Sequence, residues 1–162
     1  MNKKFSHLDN KGNARVVDIS KKKKSLRFAK AQATVWLSKK ILSMIKNHEF
    51  KKGNVINVAR LAGIMGAKQT SNLVPLCHNI SLDSSEINFR FLEEELEIVS
   101  IVQSEEKTGV EMEALAAVTI SALTIYDMVK CVEKSVYIKN ISLLEKKGGK
   151  TGDYNKIRNN KK

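Results

Sequence analysis

The clearest pattern of hydrophobic and polar positions lies between residues 107 and 134, which read KTGVEMEALAAVTISALTIYDMVKCVEK. Apolar side chains recur there every three or four positions, the spacing of one face of an α-helix. They are Leu115, Val118, Ala122, Ile125 and Val129. Thr108, with Glu111 three residues later, forms a capping-box pattern and predicts a helix that begins near Gly109.

Alternating patterns predict strands elsewhere. Residues 26–37, LRFAKAQATVWL, alternate between apolar and polar positions and favour a half-buried strand, although the alanines leave a helix possible. Residues 87–91 and 96–102 flank the acidic turn 93–95 and predict an antiparallel hairpin. Further short strands are predicted at 14–19 and 136–144.

Two more helices are predicted between the first strand and the hairpin. Ser38 is a plausible N-cap for a helix over 39–47, and Asn54 for a helix over 55–68. Gly63 and Gly66 weaken the second helix, and they indicate close backbone contact with a neighbouring element. Helical structure should end before Pro75, which removes a backbone donor.

Composition is that of one ordinary globular domain, with 162 residues, 42% hydrophobic and 28% charged. No run approaches eighteen apolar residues, so no transmembrane helix is predicted. The first ten residues lack an apolar signal core, so a cytoplasmic protein is expected. Two cysteines, Cys77 and Cys131, make neither a disulfide framework nor a four-ligand zinc site, and no metal site is predicted.

The net charge of +12 is concentrated at the two ends of the chain. Residues 1–24 carry eight Lys or Arg against two Asp, and residues 151–162 carry four against one. We therefore expect a basic, partly mobile segment at 1–24, one domain at 25–150 and a basic tail at 151–162. A nucleic-acid-binding domain remains an alternative, but aromatic residues make up only 6% and no basic folded face is evident.

Candidate chemistry lies on the central helix. Glu113 and Asp127 fall within about 40° of each other around the helix axis, and Lys130 lies about 60° beyond Asp127. When carboxylates and an amine lie close together on a partly buried surface, they shift each other's pKa, and acid–base pairs arise in this way. Asp127 and Lys130 could equally be an ordinary surface ion pair, and the local pattern alone favours that structural interpretation.

Several separate motifs, in the same order over most of the chain, resemble the cyclic pyranopterin monophosphate synthase family of molybdenum cofactor biosynthesis. The matching segments are SHL (6–8), VDIS (17–20), ARLAGIMGAKQT (59–70), LVPLCH (73–78), KTGVEMEAL (107–115), ALTIYDMVK (122–130) and GGKTGD (148–153). The resemblance implies an α+β fold, with a ferredoxin-like antiparallel sheet packed against helices. It also implies a homohexamer built from dimers.

The implied reaction converts 3′,8-cyclo-7,8-dihydroguanosine triphosphate into cyclic pyranopterin monophosphate and releases diphosphate. No cofactor is expected to be required, although Mg²⁺ could accompany the triphosphate. By motif, Asp127, Lys130 and Lys52 resemble the catalytic residues. The residues that resemble substrate-binding positions are Leu76, Cys77, His78, Met112 and Glu113, with Lys68 and Lys150 assigned to the triphosphate.

The chain departs from the family pattern at two positions, and several alternatives stay open. Asn79 and Asn54 stand where the family usually has proline and aspartate. Glu111 lies about 160° around the helix from Asp127, so either it is structural or neighbouring subunits share one pocket. We expect Lys130 to have a pKa lowered by burial and to shuttle protons while Asp127 holds it. An inactive homologue that serves as an assembly partner is a further alternative.

Overall fold

The computed structural model describes residues 7–8, 11–149 and 152–156. Its elements are β1 (Ser25–Trp36), α1 (Lys39–Lys46), α2 (Val55–Lys68), α3 (Thr70–Leu73), β2 (Ser84–Phe91), β3 (Glu95–Glu106), α4 (Glu111–Val129), β4 (Tyr137–Lys147) and β5 (Tyr154–Asn155).

The strands form one antiparallel sheet in the order β2-β3-β1-β4-β5. Strand β1 lies at its centre and pairs with β3 along its whole length, from Ser25 opposite Glu106 to Trp36 opposite Glu95. Leaving β5 aside, the chain order is βαββαβ and the sheet order is β4-β1-β3-β2, a ferredoxin-like arrangement. The predicted α+β class, with a single domain, is confirmed.

Helices α2 and α4 cover one face of this sheet. The side chains of Ala29, Ala31, Ala33 and Val35 on β1 face that layer and are fully buried. Their small size lets the helices lie close to the strand, while alternate positions keep the polar side chains on the other face. The predicted β1, whose alanines also allowed a helix, is therefore confirmed.

Helices α2 and α4 run antiparallel and touch through glycine. A Cβ at Gly63 would overlap Ser121 Oγ and lie 2.9 Å from the carbonyl oxygen of Ala117. A Cβ at Gly66 would lie 2.8 Å from the Ile120 side chain. Both distances are shorter than real Cβ contacts, so the predicted close backbone contact is confirmed.

Most predicted elements have the expected caps and ends. Ser38 Oγ accepts from the Ile41 N–H at 3.4 Å, and Asn54 Oδ1 accepts from the Asn57 N–H at 3.0 Å, so both predicted N-caps are confirmed. The hairpin β2–β3 and strand β4 are also confirmed. Sequence analysis did not predict α3 or β5.

Two local predictions are wrong. Residues 14–19 form no strand, and Ala14 makes only an isolated bridge to Leu8. Helix α4 begins at Glu111, two residues after Gly109, and none of the described side chains caps it, so the predicted capping box is absent there. The Glu111 carboxylate folds back against Gly109 and pairs with Lys146 instead of closing a capping box with Thr108.

Helix α4 is long and apolar enough to cross a membrane by length and composition alone, with a mean hydropathy of 1.4. Half of that stretch is buried inside the protein. The core helix of a globular domain meets the same criterion. Since α4 packs against β1 and α2, it is such a core helix in this structure.

Candidate active site

One cluster of charged side chains lies at the C-terminal end of α4. Lys130 Nζ is 2.7 Å from Asp127 Oδ1, one helical turn away. Lys52 Nζ is 3.1 Å from Asp127 Oδ2 and 3.1 Å from the Asp127 carbonyl oxygen. Lys52 is carried by the connection between α1 and α2, so the fold brings together all three residues predicted as catalytic.

This ion cluster holds Asp127 and Lys130 in their charged forms. The hydrogen bond from Lys130, followed by that from Lys52, lowers the pKa of Asp127 below its usual range. The hydrogen bond to Asp127 raises the pKa of Lys130. The expected lowering of the Lys130 pKa by burial is therefore wrong, because its side chain is 52% exposed and faces a carboxylate.

A second group of predicted residues surrounds a cavity of about 460 Å³ at the N-terminal end of α4. Its walls include Leu76, Cys77, His78, Met112 and Glu113, together with His7 and Lys22. Glu113 is only 4% exposed, although it carries a carboxyl group.

Burial gives this carboxyl group an unusual pKa. Loss of solvent is the main cause that raises the pKa of Glu113 to about 7. A hydrogen bond from a backbone N–H lowers this pKa by a smaller amount, and the nearby charge of Glu111 raises it further. Burial, with the nearby Glu113, also raises the pKa of the Cys77 thiol. A carboxyl group poised near neutrality can both give and take a proton, which is the property of a general acid–base catalyst.

A strongly basic cleft adjoins this cavity. It has a volume of about 720 Å³ and shares Lys22, Thr108, Gly109 and Glu111 with the first cavity. Among the residues that the structure describes, seven cationic side chains line it: Lys21, Lys22, Lys23, Lys24, Arg27, Lys107 and Lys146. Glu111 lies at the boundary and pairs with Lys146 at 3.2 Å.

The sequence patterns do not identify the residues of this cleft. The lysine run 21–24 has the composition of a solvated N-terminal segment, and Lys107 and Lys146 lie far apart in the chain. The available signal was the VDIS segment (17–20), directly before that run. The position of the lysine run next to α4 depends on tertiary contacts, which the local sequence pattern does not encode.

The two clusters lie at opposite ends of α4. Asp127 follows Glu113 by fourteen positions, so a rise of 1.5 Å per residue places them about 21 Å apart along the axis. Since α2 is antiparallel to α4, Lys68 lies towards the Met112 end, but it does not line either cavity there. Lys150 falls outside the described residues. Within one chain, the predicted residues therefore form two separate groups.

No cluster of three or more His, Cys, Asp or Glu side chains suited to a metal ion occurs among the residues that the structure describes. The polar groups of the two clusters are dominated by ammonium and carboxyl groups. This chemistry suits proton transfer and the binding of an anion.

Comparison with known proteins identifies the family of this chain. The MoaC family model matches residues 16–149, which include both clusters. The chain belongs to the MoaC family. It is 48% identical to the cyclic pyranopterin monophosphate synthase of Peptoclostridium acidaminophilum, over 93% of this chain and 96% of the relative.

Other relatives of this MoaC-family chain carry the same name. The cyclic pyranopterin monophosphate synthase of Clostridium acetobutylicum is 45% identical over 97% of this chain and 99% of its own length. That of Syntrophomonas wolfei is 49% identical over 91% of this chain and 96% of its own length. The similarity thus extends over nearly the whole chain.

Proposed function

We propose that this protein is a cyclic pyranopterin monophosphate synthase, a lyase of molybdenum cofactor biosynthesis. It would convert (8S)-3′,8-cyclo-7,8-dihydroguanosine 5′-triphosphate into cyclic pyranopterin monophosphate and diphosphate. The names of its relatives support this proposal, and the site supports it independently.

The observation that carries the proposal is the junction of the two cavities. One contains Glu113, whose pKa is raised to about 7, among partly apolar walls, and the other presents seven cationic side chains of the described residues. A purine-derived ring with polar edges fits the first environment. A triphosphate, with its several negative charges, fits the second. A nucleotide is a ligand that needs both environments side by side.

The proposed reaction needs proton transfers and phosphate chemistry. Opening and closing the rings moves protons between nitrogen, carbon and oxygen atoms, which suits Glu113 and the ammonium groups of Lys52 and Lys130. A sugar hydroxyl then attacks the α-phosphorus while losing its proton. The new O–P bond forms as the bond to the β-phosphate oxygen breaks, and diphosphate leaves with that electron pair. The basic cleft stabilises the departing charge.

The separation of the clusters supports an active site shared between two copies of the chain. Helix α4 presents one continuous outward row of partly or fully exposed residues, within about 80° around its axis. The row consists of Met112, Ala116, Thr119, Leu123, Asp127 and Lys130. Met112 stands at the substrate-binding end, and Asp127 with Lys130 stands at the other.

If a twofold axis passed near the middle of this row, two copies of the chain would together form two complete active sites. Two α4 helices that pack antiparallel would bring Asp127 of each copy towards Met112 of the other, because a twofold contact is reciprocal. Exposed apolar side chains on the neighbouring α2, Val58, Leu61 and Met65, extend the same surface. We propose such a dimer as the repeating unit of the expected homohexamer.

Mixing two inactive variants tests the shared site. Asp127→Asn and Glu113→Gln subunits change opposite ends of α4, so a mixed dimer would retain one intact site. Activity recovered on mixing, to roughly a quarter of wild type for random pairing, would support sharing. No recovery in demonstrably mixed dimers would contradict it.

The assay for the function itself is release of diphosphate from the cyclic guanosine triphosphate, with the pterin product detected in parallel. We expect turnover by the wild-type protein in the absence of any other enzyme. No turnover by an intact oligomer would instead favour the inactive homologue. Since the substrate is a charged nucleotide derivative, the proposal also places the protein in the cytoplasm.

A further inference from the structure

The connection between α1 and α2, residues 47–54, has an unusual backbone path. His48 and Gly53 both have left-handed backbone angles, with φ of 58° and 99°. Glycine adopts such angles freely, but a histidine does so uncommonly. Lys52 lies between these two positions, directly before Gly53. An interaction beyond backbone preference must therefore support the turn that carries Lys52.

The side chains of His48 and Asn54 supply that interaction by joining the two ends of the turn. Asn54 Nδ2 lies 3.2 Å from His48 Nδ1. Asn54 Oδ1 is already used as the N-cap of α2, where it accepts from the Asn57 N–H at 3.0 Å. The amide orientation is thus set by the helix, and its NH₂ group must face the imidazole.

This orientation determines the tautomer of His48. Because Asn54 donates, Nδ1 of His48 is the acceptor in this hydrogen bond, and this role selects the tautomer with the proton on Nε2. Inside the closed turn, the Gly53 N–H donates to the Phe50 carbonyl at 3.0 Å. The buried Phe50 side chain fixes the same turn to the core.

We propose that His48 and Asn54 are positioning residues for Lys52, which act by closing the turn that presents its ammonium group to Asp127. Neither residue lines the cavities proposed for the substrate. Loosening the turn should therefore lower kcat more than it changes KM. The link to kcat rests on the proposed function, whereas the state of the turn can be measured without substrate.

Substitutions at position 54 separate the two hydrogen bonds of the asparagine. Asn54→Ser keeps an N-cap oxygen for α2 but removes the amide NH₂ group that reaches His48 Nδ1. Asn54→Asp also keeps the cap, and its second carboxylate oxygen can accept from His48 once the ring proton moves to Nδ1. His48→Gly tolerates the left-handed backbone and removes the imidazole.

The first measurement is the ¹⁵N NMR spectrum of histidine-labelled protein at about pH 8, where histidine is ordinarily neutral. His48→Gly assigns the resonances. We expect the Nε2–H tautomer in the wild type and the Nδ1–H tautomer in Asn54→Asp. Exchange of the Gly53 amide hydrogen should accelerate in Asn54→Ser and His48→Gly, but not in Asn54→Asp.

The second measurement is turnover of the full-length variants. We expect kcat to fall roughly five- to tenfold in Asn54→Ser and His48→Gly, the size of one lost hydrogen bond, with KM within about twofold. Asn54→Asp should retain most of kcat. The double variant His48→Gly/Asn54→Ser should be no worse than either single variant, because one interaction is lost only once.

Three results would overturn the inference: an Nδ1–H tautomer in the wild type, unchanged Gly53 exchange in Asn54→Ser, or equal kcat in Asn54→Ser and Asn54→Asp. If wild-type turnover is absent while the tautomer and exchange results are as expected, the proposed function fails and the turn-closing pair stands.

Discussion

Lys52 Nζ lies 3.1 Å from Asp127 Oδ2, although the two residues are 75 positions apart in the chain. Both side chains are about half exposed, at 49% and 55%. An ion pair with this exposure is screened by water and contributes little to the stability of a fold. Its position at the C-terminal end of α4, beside Lys130, is better explained by chemistry.

We expect Lys52→Ala and Asp127→Asn each to reduce turnover by at least about 100-fold, the usual range for loss of a general acid–base group. The unfolding midpoint should barely change, because the pair is exposed. Diphosphate release and a thermal melt measure the two effects. Lys39→Ala is the control, since Lys39 makes an even more exposed ion pair with Glu93 at 2.7 Å, away from the candidate site. Turnover of either site variant within threefold of wild type would contradict the assignment.

Glu113 should make stability depend on pH. Its pKa is raised from 4.5 to about 7 in the folded protein by burial. Between these pH values the folded state holds a proton that the unfolded chain has released, so the free energy of unfolding falls as pH rises. Glu113→Gln cannot ionise and should escape this loss.

Urea unfolding of both proteins at about pH 5 and pH 8 measures the difference. We expect the free energy of unfolding of Glu113→Gln, relative to wild type, to rise by roughly 2 to 3 kcal/mol between the two. Glu93→Gln, which changes an exposed carboxylate, should show no such rise. A relative stability of Glu113→Gln that is flat with pH would show that the carboxyl group titrates normally.

Leu123 tests the proposed dimer surface. It is 53% exposed at the middle of the outward row of α4. Leu123→Arg would place two like charges against each other near a twofold axis, so we expect sedimentation as an assembly smaller than that of the wild type, and loss of turnover. Leu92→Arg, in the turn between β2 and β3, is the control and should leave both unchanged. A Leu123→Arg protein that sediments and turns over like the wild type would exclude this face.

Gly63 tests the contact between α2 and α4. An added methyl group would overlap Ser121 Oγ, so Gly63→Ala should destabilise the fold by roughly 1 to 3 kcal/mol, as overpacking does. Ser121→Ala alone removes a hydrogen bond to the Ala59 carbonyl of 2.9 Å. The double variant should lose less than the sum of the two, because the new methyl group fills the space left by the hydroxyl. Strict additivity in chemical denaturation would argue against this contact.

The local patterns predicted those helices and strands whose main interactions lie on one buried face or within a few residues along the chain. The alternation in β1 and the caps at Ser38 and Asn54 reflect burial and hydrogen bonding within a few residues. The capping box at Thr108 and Glu111 failed because Glu111 has a competing partner in Lys146, 35 residues away. A local rule cannot weigh such a distant ion pair.

The candidate site shows the same limit. Helical spacing predicted that Asp127 and Lys130 would meet, and they do, at 2.7 Å. The same spacing placed Glu113 at a similar angle around the helix axis, but the rise along the helix separates its carboxyl group from that of Asp127. The surroundings of the two groups also differ, because Glu113 is buried and Asp127 is exposed. Electrostatic environment depends on what packs around each group, which explains why the expected pKa of Lys130 was wrong.

Helix α4 also restricts how this chain can change over evolutionary time. Inserting or deleting one residue between Glu113 and Asp127 would rotate the far half of the helix by about 100° and shift it by about 1.5 Å. Such a change would turn Asp127 away from Lys52 and disturb the glycine contacts with α2. Natural variants should therefore accept length changes in the surface connections, such as that between β2 and β3, while the fourteen-residue separation on α4 stays constant.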